Sequence, residues 1–250
     1  MNTSDEQPQR LDLALVALGL VATRAKARDL IARGEVRVDG EIAQKPALNV
    51  RTEQAITVDA QAAAQVSRGA VKLAAALDHF GLDAAARIAL DIGASTGGFT
   101  QVLLERGVAR VYAVDVGKGQ LHPSLKDDPR VVALEECDAR TLDRTIVPDA
   151  IDAIVADVSF ISLRKVLPAA LALAAPGCWL VALVKPQFEV GREGVGKGGI
   201  VRDPALRTEA LADVREWLAR QQGWTVLGDM PSPIEGGSGN VEFLLAGARA

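Results

Sequence analysis

Four charged side chains stand where apolar ones would be easier to bury. Asp157 ends the apolar run "DAIVAD", Lys185 ends "WLVALVK", Glu242 interrupts "NVEFLL", and Lys72 lies inside "SRGAVKLAAALDHF". Each alone reads as an exposed charge. Two lysines and two carboxylates beside buried segments read better as a reaction site, because ionised groups are rarely placed next to a core without a task.

A glycine turn precedes three of them. "DIGASTGGFT", residues 91 to 100, reads as the end of a buried strand, a tight turn and the start of a helix. Gly93, Gly97 and Gly98 allow the backbone to approach a ligand closely. With Ala94, Ser95 and Phe99 they form a candidate cofactor turn. The dinucleotide pattern G-x-G-x-x-G is not met, because Ser95 takes the place of its second glycine. The next strand ends in Asp115, placed to accept hydrogen bonds from ribose hydroxyls. A third strand leads to Asp138, where a carboxylate can face an adenine amino group. The ordered series Asp91, Gly93, Asp115, Asp138 fits S-adenosylmethionine. That cofactor has an adenosine, no phosphate and a positive sulfonium, which suits an acidic pocket.

The elements that must position these groups follow a strand-helix alternation from Ser67 onward. "RIALDIGAS", "RVYAVDVG", "RVVALEECDAR", "IDAIVADVSF" and "CWLVALVKP" read as strands, with helices over "GGFTQVLLERG" and residues 163–175. The pattern predicts an α/β architecture with a mostly parallel, doubly wound sheet, its ligand beyond the carboxyl ends of the strands. "NVEFLLAGA" is a last strand with no helix after it. Residues 1–58 form a separate small α/β domain, 59–66 a linker and 67–250 the large domain. In the small domain Leu11, Leu15 and Leu18 mark a first helix ended by Gly19. Thr23 caps a second helix, with Ala27, Leu30 and Ile31 inward. "GEVRVDGEIA" is a hairpin turning at Asp39-Gly40, and "AITVDA" a further strand. The second helix and hairpin carry Arg24, Lys26, Arg28, Arg33 and Arg37. Charge alone leaves this face open between a solvated helix and a phosphate-binding surface.

Composition narrows the classes. The chain of 250 residues has a formal charge of −4 and 49% apolar residues, so nucleic-acid contact must be a local patch. Cys137 and Cys178 stand far apart and suggest reduced thiols rather than a disulfide or metal site. His79 and His122 lack metal-ligand companions and read as structural or surface residues; no metal is expected. The tryptophans Trp179, Trp217 and Trp224 read as core. Residues 166–184 carry no charge but contain Pro176-Gly177, which breaks a membrane helix into a helix, a turn and a buried strand. "GREGVGKG", residues 191–198, nearly matches a P-loop, but Gly198 replaces the Ser or Thr that would hold magnesium. It is a plain flexible loop or a lid.

Two resemblances add to this. "RLDLALVALGLVATRAKARDLIARGEVRVDG" resembles the S4-type RNA-binding module, also called the alpha-L motif. That likeness implies RNA contact through Arg10, Arg24, Lys26, Arg28, Arg33 and Arg37. Residues 67–250 resemble the FtsJ-type RNA ribose 2′-O-methyltransferases, and the whole chain resembles the TlyA family, also called hemolysin A. The likeness rests on "VSRGAVKL", "DIGASTGGFTQVLLERGVARVYAVDVGKGQLH", "ADVSFISL", "LVKPQFE", "GREGVGKGGIVRD" and "SPIEGGSGNVEFLL". It implies a Rossmann-like methyltransferase sheet that binds S-adenosylmethionine, with Asp157 near the sulfonium. It further implies a catalytic tetrad of Lys72, Asp157, Lys185 and Glu242, and cytidine 2′-O-methylation of ribosomal RNA, free or within a subunit. Lys185 is then the candidate base, which requires a lowered pKa from burial or from a neighbouring cation such as Lys72. Asp157 would orient Lys185, and Glu242 would hold Lys72 or the ribose. A cytoplasmic location with no membrane partner is expected. A ribosome-associated factor without catalysis and a membrane-acting hemolysin are the competing readings. The intact tetrad and glycine turn oppose the first; the acidic charge and the lack of a cationic amphipathic helix oppose the second.

Overall fold

The computed structural model describes residues 8–21, 23–60, 63, 65–236 and 239–250. It divides into two units, residues 1–67 and 68–250. Three residues of the expected linker, 61, 62 and 64, lie outside the described set, as do residues 1–7 and 237–238.

The N-terminal unit contains β1 (Gln9–Arg10), α1 (Leu11–Ala17), α2 (Arg24–Ala32), β2 (Val36–Val38), β3 (Glu41–Ile42), β4 (Asn49–Val50) and β5 (Ile56–Val58). Thr23 caps α2 by accepting from the Lys26 amide at 3.2 Å. The β2–β3 hairpin turns on Asp39 and Gly40, at φ 52° and 86°. Positive φ at both central residues matches the right-handed twist of the flanking strands. Leu11, Leu15, Ala27, Leu30, Ile31 and Val36 form one core. The short β1–β4 pair was not anticipated, since two residues are too few to show a period.

Beneath α1 lies a charged anchor. Asp12 is fully buried and takes Arg10 Nε at 3.0 Å, Arg10 Nη2 at 3.1 Å and Arg24 Nε at 2.9 Å. Arg28 Nε stands 3.7 Å away.

The large unit runs α3 (Gly69–Phe80), β6 (Ile88–Ile92), α4 (Gly98–Glu105), β7 (Arg110–Val114), α5 (Pro123–Lys126), β8 (Val131–Leu134), β9 (Ile151–Ala156), α6 (Leu163–Leu173), β10 (Ala174–Val184), α7 (Pro186–Glu189), α8 (Pro204–Ala219), β11 (Trp224–Pro231) and β12 (Phe243–Arg249). Its seven-stranded sheet has the order β11-β12-β10-β9-β6-β7-β8. The β10-β9-β6-β7-β8 part is parallel, while β12 runs antiparallel to both β10 and β11. This is the α/β doubly wound sheet expected. Its buried strands are apolar on both faces because helices cover both sides.

Two details differ from the sequence reading. Helix α6 ends at Leu173, not residue 175, and Pro176-Gly177 falls inside β10 as an irregularity in which Ala174 pairs with Ile151 and Trp179 with Ala153. Gly177 takes φ 79°, so the break is a strand bulge rather than a free turn. Strand β11 was not anticipated. It is the sheet edge, half-buried and interrupted at Gly228, so it lacks a sustained alternation. Among the described residues no helix is long and apolar enough to cross a membrane.

The Asp12 carboxyl is held down to about 2, first by the Arg10 hydrogen bonds and then by Arg24, against the opposing effect of burial. A carboxyl with a depressed folded pKa stabilises above its unfolded value of ~4 and loses that contribution as pH falls through about 2. Amide exchange in the N-terminal unit of wild type and Asp12→Asn should therefore show a constant stability gap from about pH 7 to 5. That gap should shrink by about half or more between pH 4 and 2.

Candidate active site

The sheet register brings the charged side chains together. In the parallel β9–β10 ladder Ala156 pairs with Ala182, so Asp157 falls opposite Leu183 and Lys185 lies two residues further on the same face. The antiparallel β10–β12 ladder ends at Val184–Phe243, and its next rung sets Lys185 opposite Glu242. Lys72 comes from α3, which packs against β12 and α4.

They form two ion pairs. Lys185 Nζ is 2.7 Å from Asp157 Oδ1 and donates to Ser159 Oγ at 3.0 Å. Lys72 Nζ donates to Glu242 Oε2 at 2.5 Å, and both residues are buried. Lys72 thus has its own counter-ion, so Glu242 is the group that holds it. Two glycines make room. A Cβ on Gly236 would lie 2.1 Å from Glu242 Oε1, and one on Gly93 would lie 2.6 Å from the Asp157 carbonyl oxygen. Gly93 also has φ 80°.

Beside Asp157 opens a cavity of about 550 Å³. Of the candidate cofactor residues, Gly93, Ser95, Asp115, Asp138 and Asp157 line it. Asp91, Ala94, Gly97, Gly98 and Phe99 do not. Asp91 is fully buried and accepts from Thr100 Oγ1 at 2.6 Å, with its Oδ1 unpartnered. Burial pushes its carboxyl up to about 7, assisted by the nearby Asp157 and Asp115 charges. Ala94 and Phe99 are buried. At Gly97, φ is 99° and a Cβ would meet Leu125 Cδ1 at 2.2 Å, so this glycine serves packing. Gly98 opens α4.

The lining carboxylates first shape their own loops. Asp115 accepts from the Ser95 amide at 2.8 Å and the Gly117 amide at 2.7 Å. Asp138 accepts Arg140 Nη2 at 2.6 Å and the Arg140 amide at 2.9 Å, and its carboxyl is held at about 2 by Arg140. Arg140 is the one cation lining the cavity among the described residues.

Several lining residues were passed over in the sequence: Val116, Gln120, Cys137, Ser159 and Phe160. The signal was available, since each lies within a few residues of a strand's carboxyl end, where such folds bind ligands. Phe160 is 91% exposed at φ 66°, its ring 5.2 Å from that of Phe188. Burial raises the Cys137 thiol and pushes the buried Cys178 thiol up to about 12. Both are free, and no group of metal-ligating side chains occurs among the described residues. His122 caps α5, and His79 packs edge-on against Phe80.

Among the described residues, none of the glycine-rich loop 191–198 lines the cavity. The Asn240 side chain ties its end down, accepting from the Val201 amide at 3.1 Å and donating to the Gly199 carbonyl at 2.9 Å.

In the N-terminal unit the candidate cations separate into groups. Arg10, Arg24 and Arg28 converge on Asp12 while keeping 40–59% of their side chains exposed. Lys26 is half-buried, donates to the Gln65 carbonyl, and has its pKa lowered by burial. Arg37 donates to the Gly40 carbonyl within its hairpin. Arg33 is turned inward between Asp29 and Glu35, only 16% exposed, so it does not share the solvent face of the others.

Residues 65–249 match the model of the FtsJ-like methyltransferase, and residues 9–56 that of the S4 domain. The chain is 50% identical to the 16S/23S rRNA (cytidine-2′-O)-methyltransferase TlyA of Mycobacterium tuberculosis over 94% of its length and 88% of that protein's. It is 40% identical to Hemolysin A of Brachyspira hyodysenteriae, over 94% and 98% of the two chains. A solved structure described as a hemolysin from Streptococcus thermophilus superposes with a TM-score of 0.76 at 39% identity, over 98% of this chain and 89% of that one. With its Lys-Asp and Lys-Glu pairs at one sheet edge and an S4 domain ahead of them, the chain belongs to the FtsJ-like methyltransferase family, among its TlyA-type members.

Proposed function

We propose that the chain transfers a methyl group from S-adenosylmethionine to the 2′-hydroxyl of a cytidine in ribosomal RNA. One observation carries the reading: Asp157 both lines the cavity and contacts Lys185, so one carboxylate joins the cofactor space to the candidate base. The relative from Mycobacterium tuberculosis bears this activity in its name. A cytoplasmic location follows from the substrate.

The cavity fits the cofactor. Asp115, Asp138 and Asp157 line it, and its single cation is already paired with Asp138. Such a lining suits a cationic sulfonium better than a pyrophosphate. Ile92, Val114, Val116, Ala139 and Val166 offer apolar surface for an adenine. When bound, S-adenosylmethionine supplies an electrophilic methyl group. The protein's part is alignment and proton removal. Asp157 orients Lys185 through their ion pair; once Lys185 has given up its own proton, its Nζ accepts the 2′-hydroxyl proton while the 2′-oxygen takes the methyl and the methyl–sulfur bond breaks. Glu242 neutralises and fixes Lys72, so that the ammonium is held still beside the reacting edge. Phe160 offers an exposed ring on which the target base can stack. Most of the rate then rests on holding the reactants in line.

Lys185→Ala should lower the single-turnover rate on ribosomal subunits by about 100-fold or more, the usual worth of a positioned base, with cofactor affinity nearly unchanged. Lys185→Arg should fail equally, because arginine keeps the charge but cannot be deprotonated. An arginine variant retaining most of the rate would make Lys185 an electrostatic clamp.

Asp91 provides a pH test of the cofactor assignment. Its raised pKa means that it ionises as pH rises through about 7. Each step adds negative charge beneath a cation site, so calorimetric affinity for S-adenosylmethionine should tighten between about pH 6 and 8. Asp91→Asn should flatten that dependence; an identical slope in both proteins would exclude Asp91 as its source.

RNA is held by the arginines around Asp12. A guanidinium paired with a carboxylate still has free N–H donors for phosphate. Replacing both Arg24 and Arg28 with alanine should weaken RNA binding and reduce the magnitude of its salt slope by roughly one to two. Cofactor binding should not move.

A further inference from the structure

We infer that Glu189 is a positioning residue for methyl transfer: it latches the end of the loop 159–162 and the start of α6 to α7, and so keeps Ser159 against Lys185. The inference rests on the reading that Lys185 serves the ribose hydroxyl.

The short helix α7 (Pro186–Glu189) is bracketed by Lys185, its N-cap, and Glu189, its last residue. Both reach the same loop. Lys185 Nζ donates to Ser159 Oγ at 3.0 Å. Glu189 Oε2 accepts from Ser162 Oγ at 2.6 Å, and Oε1 accepts from the Leu163 amide at 2.7 Å. Arg164 Nε stands 3.7 Å from Oε2. The loop is therefore tied at both ends to one rigid turn of helix.

Helix capping alone does not explain this carboxylate. Ser162 already caps α6 through the Arg164 amide at 3.2 Å. A cap from elsewhere normally stays in water, whereas the Glu189 side chain is 1% exposed. Burial raises its pKa above the ordinary range. Desolvating a carboxylate is costly, so its two hydrogen bonds must secure something beyond one helix turn. What lies between the ties is Phe160, a non-glycine residue at φ 66°. Such a conformation persists only when the surroundings over-determine it. Without the Glu189 latch the loop can relax, Ser159 drifts from Lys185, and the base loses its alignment.

The test is single-turnover methylation of ribosomal subunits with labelled S-adenosylmethionine, for wild type, Glu189→Ala, Glu189→Gln, Ser159→Ala and the Glu189→Ala/Ser159→Ala double variant. Glu189→Ala should lower the saturated rate by about tenfold or more, a larger change than any in the half-saturating cofactor and subunit concentrations, which Ser159 and Phe160 also touch as cavity residues. Glu189→Gln should restore most of the rate, because its oxygen can accept from Leu163 N–H while the Ser162 hydroxyl accepts from its amide. Ser159→Ala should reproduce the loss, and adding Glu189→Ala to it should cost less than about twofold more, since the two act as one unit. A Glu189→Ala rate within about twofold of wild type, or a loss that simply multiplies with that of Ser159→Ala, overturns the inference. If Glu189→Ala does not fold, Ser162→Ala and Ser159→Ala decide: a normal saturated rate in either overturns it, and a saturated-rate loss in both supports it. Lys185→Ala run alongside separates the two levels. If it abolishes the rate while the Glu189 variants stay normal, only the latch falls. If it keeps the rate, the base assignment falls and takes the latch with it.

Discussion

A buried ammonium is tolerable only beside a carboxylate, and that requirement organises the large unit. Lys72 and Glu242 are both under a tenth exposed and lie 170 residues apart in sequence. Leaving one without the other strands a charge in low dielectric, at a cost of about 3–5 kcal/mol. The chain must therefore bring α3 and the start of β12 together before either residue can be buried. This condition spreads outward. Glu242 needs the space that Gly236 leaves empty. The β12 strand that directly follows it is held between β10 and β11, so an antiparallel insertion in an otherwise parallel sheet fixes the position of this buried charge.

The same sheet shows what could be read in the sequence and what could not. Apolar runs announced β6, β7, β9 and β10, because a strand buried on both faces has no polar period to confuse it. Asp157 and Lys185 were legible for the same reason, as charges at the ends of such runs. Their 2.7 Å contact was not, since it depends on β10 running past β9 with its bulge at Pro176-Gly177, and register is a property of pairs of strands. Edge strand β11 escaped because half-burial erases the pattern. The six candidate RNA-binding cations of the N-terminal unit were legible as charge but not as direction. Charge groups Arg33 with Arg28, yet five residues at about 3.6 per turn put it about 140° round the helix, where Asp29 and Glu35 hold it.

The carboxylates around the cavity carry a related lesson. Each was read as a ligand group, and each turns out to hold protein first. Asp115 spends both oxygens on the Ser95 and Gly117 amides, and Asp138 is clasped by Arg140. For Asp115 the tasks are compatible, because each of its oxygens has two lone pairs and the loop bond uses one, whereas each Asp138 oxygen already takes two Arg140 contacts. The arrangement also fixes the carboxylates in advance. A donor entering the cavity would then meet acceptors whose orientation is already set, so less conformational entropy would be lost on binding.

In the N-terminal unit the signs are reversed and the logic is the same. Asp12 is buried, and three guanidiniums gather over it from the chain ahead of α1 and from α2. One negative charge beneath three positive ones leaves a net local charge of +2, on a chain whose formal total is −4. The cluster is cationic outward because the carboxylate it gathers over is buried beneath it. Arg10 and Arg24 are held by hydrogen bonds through Nε, which leaves part of each planar fork facing water at a fixed angle. Lysines at these positions would supply equal charge with no such angle. A buried aspartate is therefore what converts a basic composition into an oriented surface, and it explains how a net acidic protein can present one.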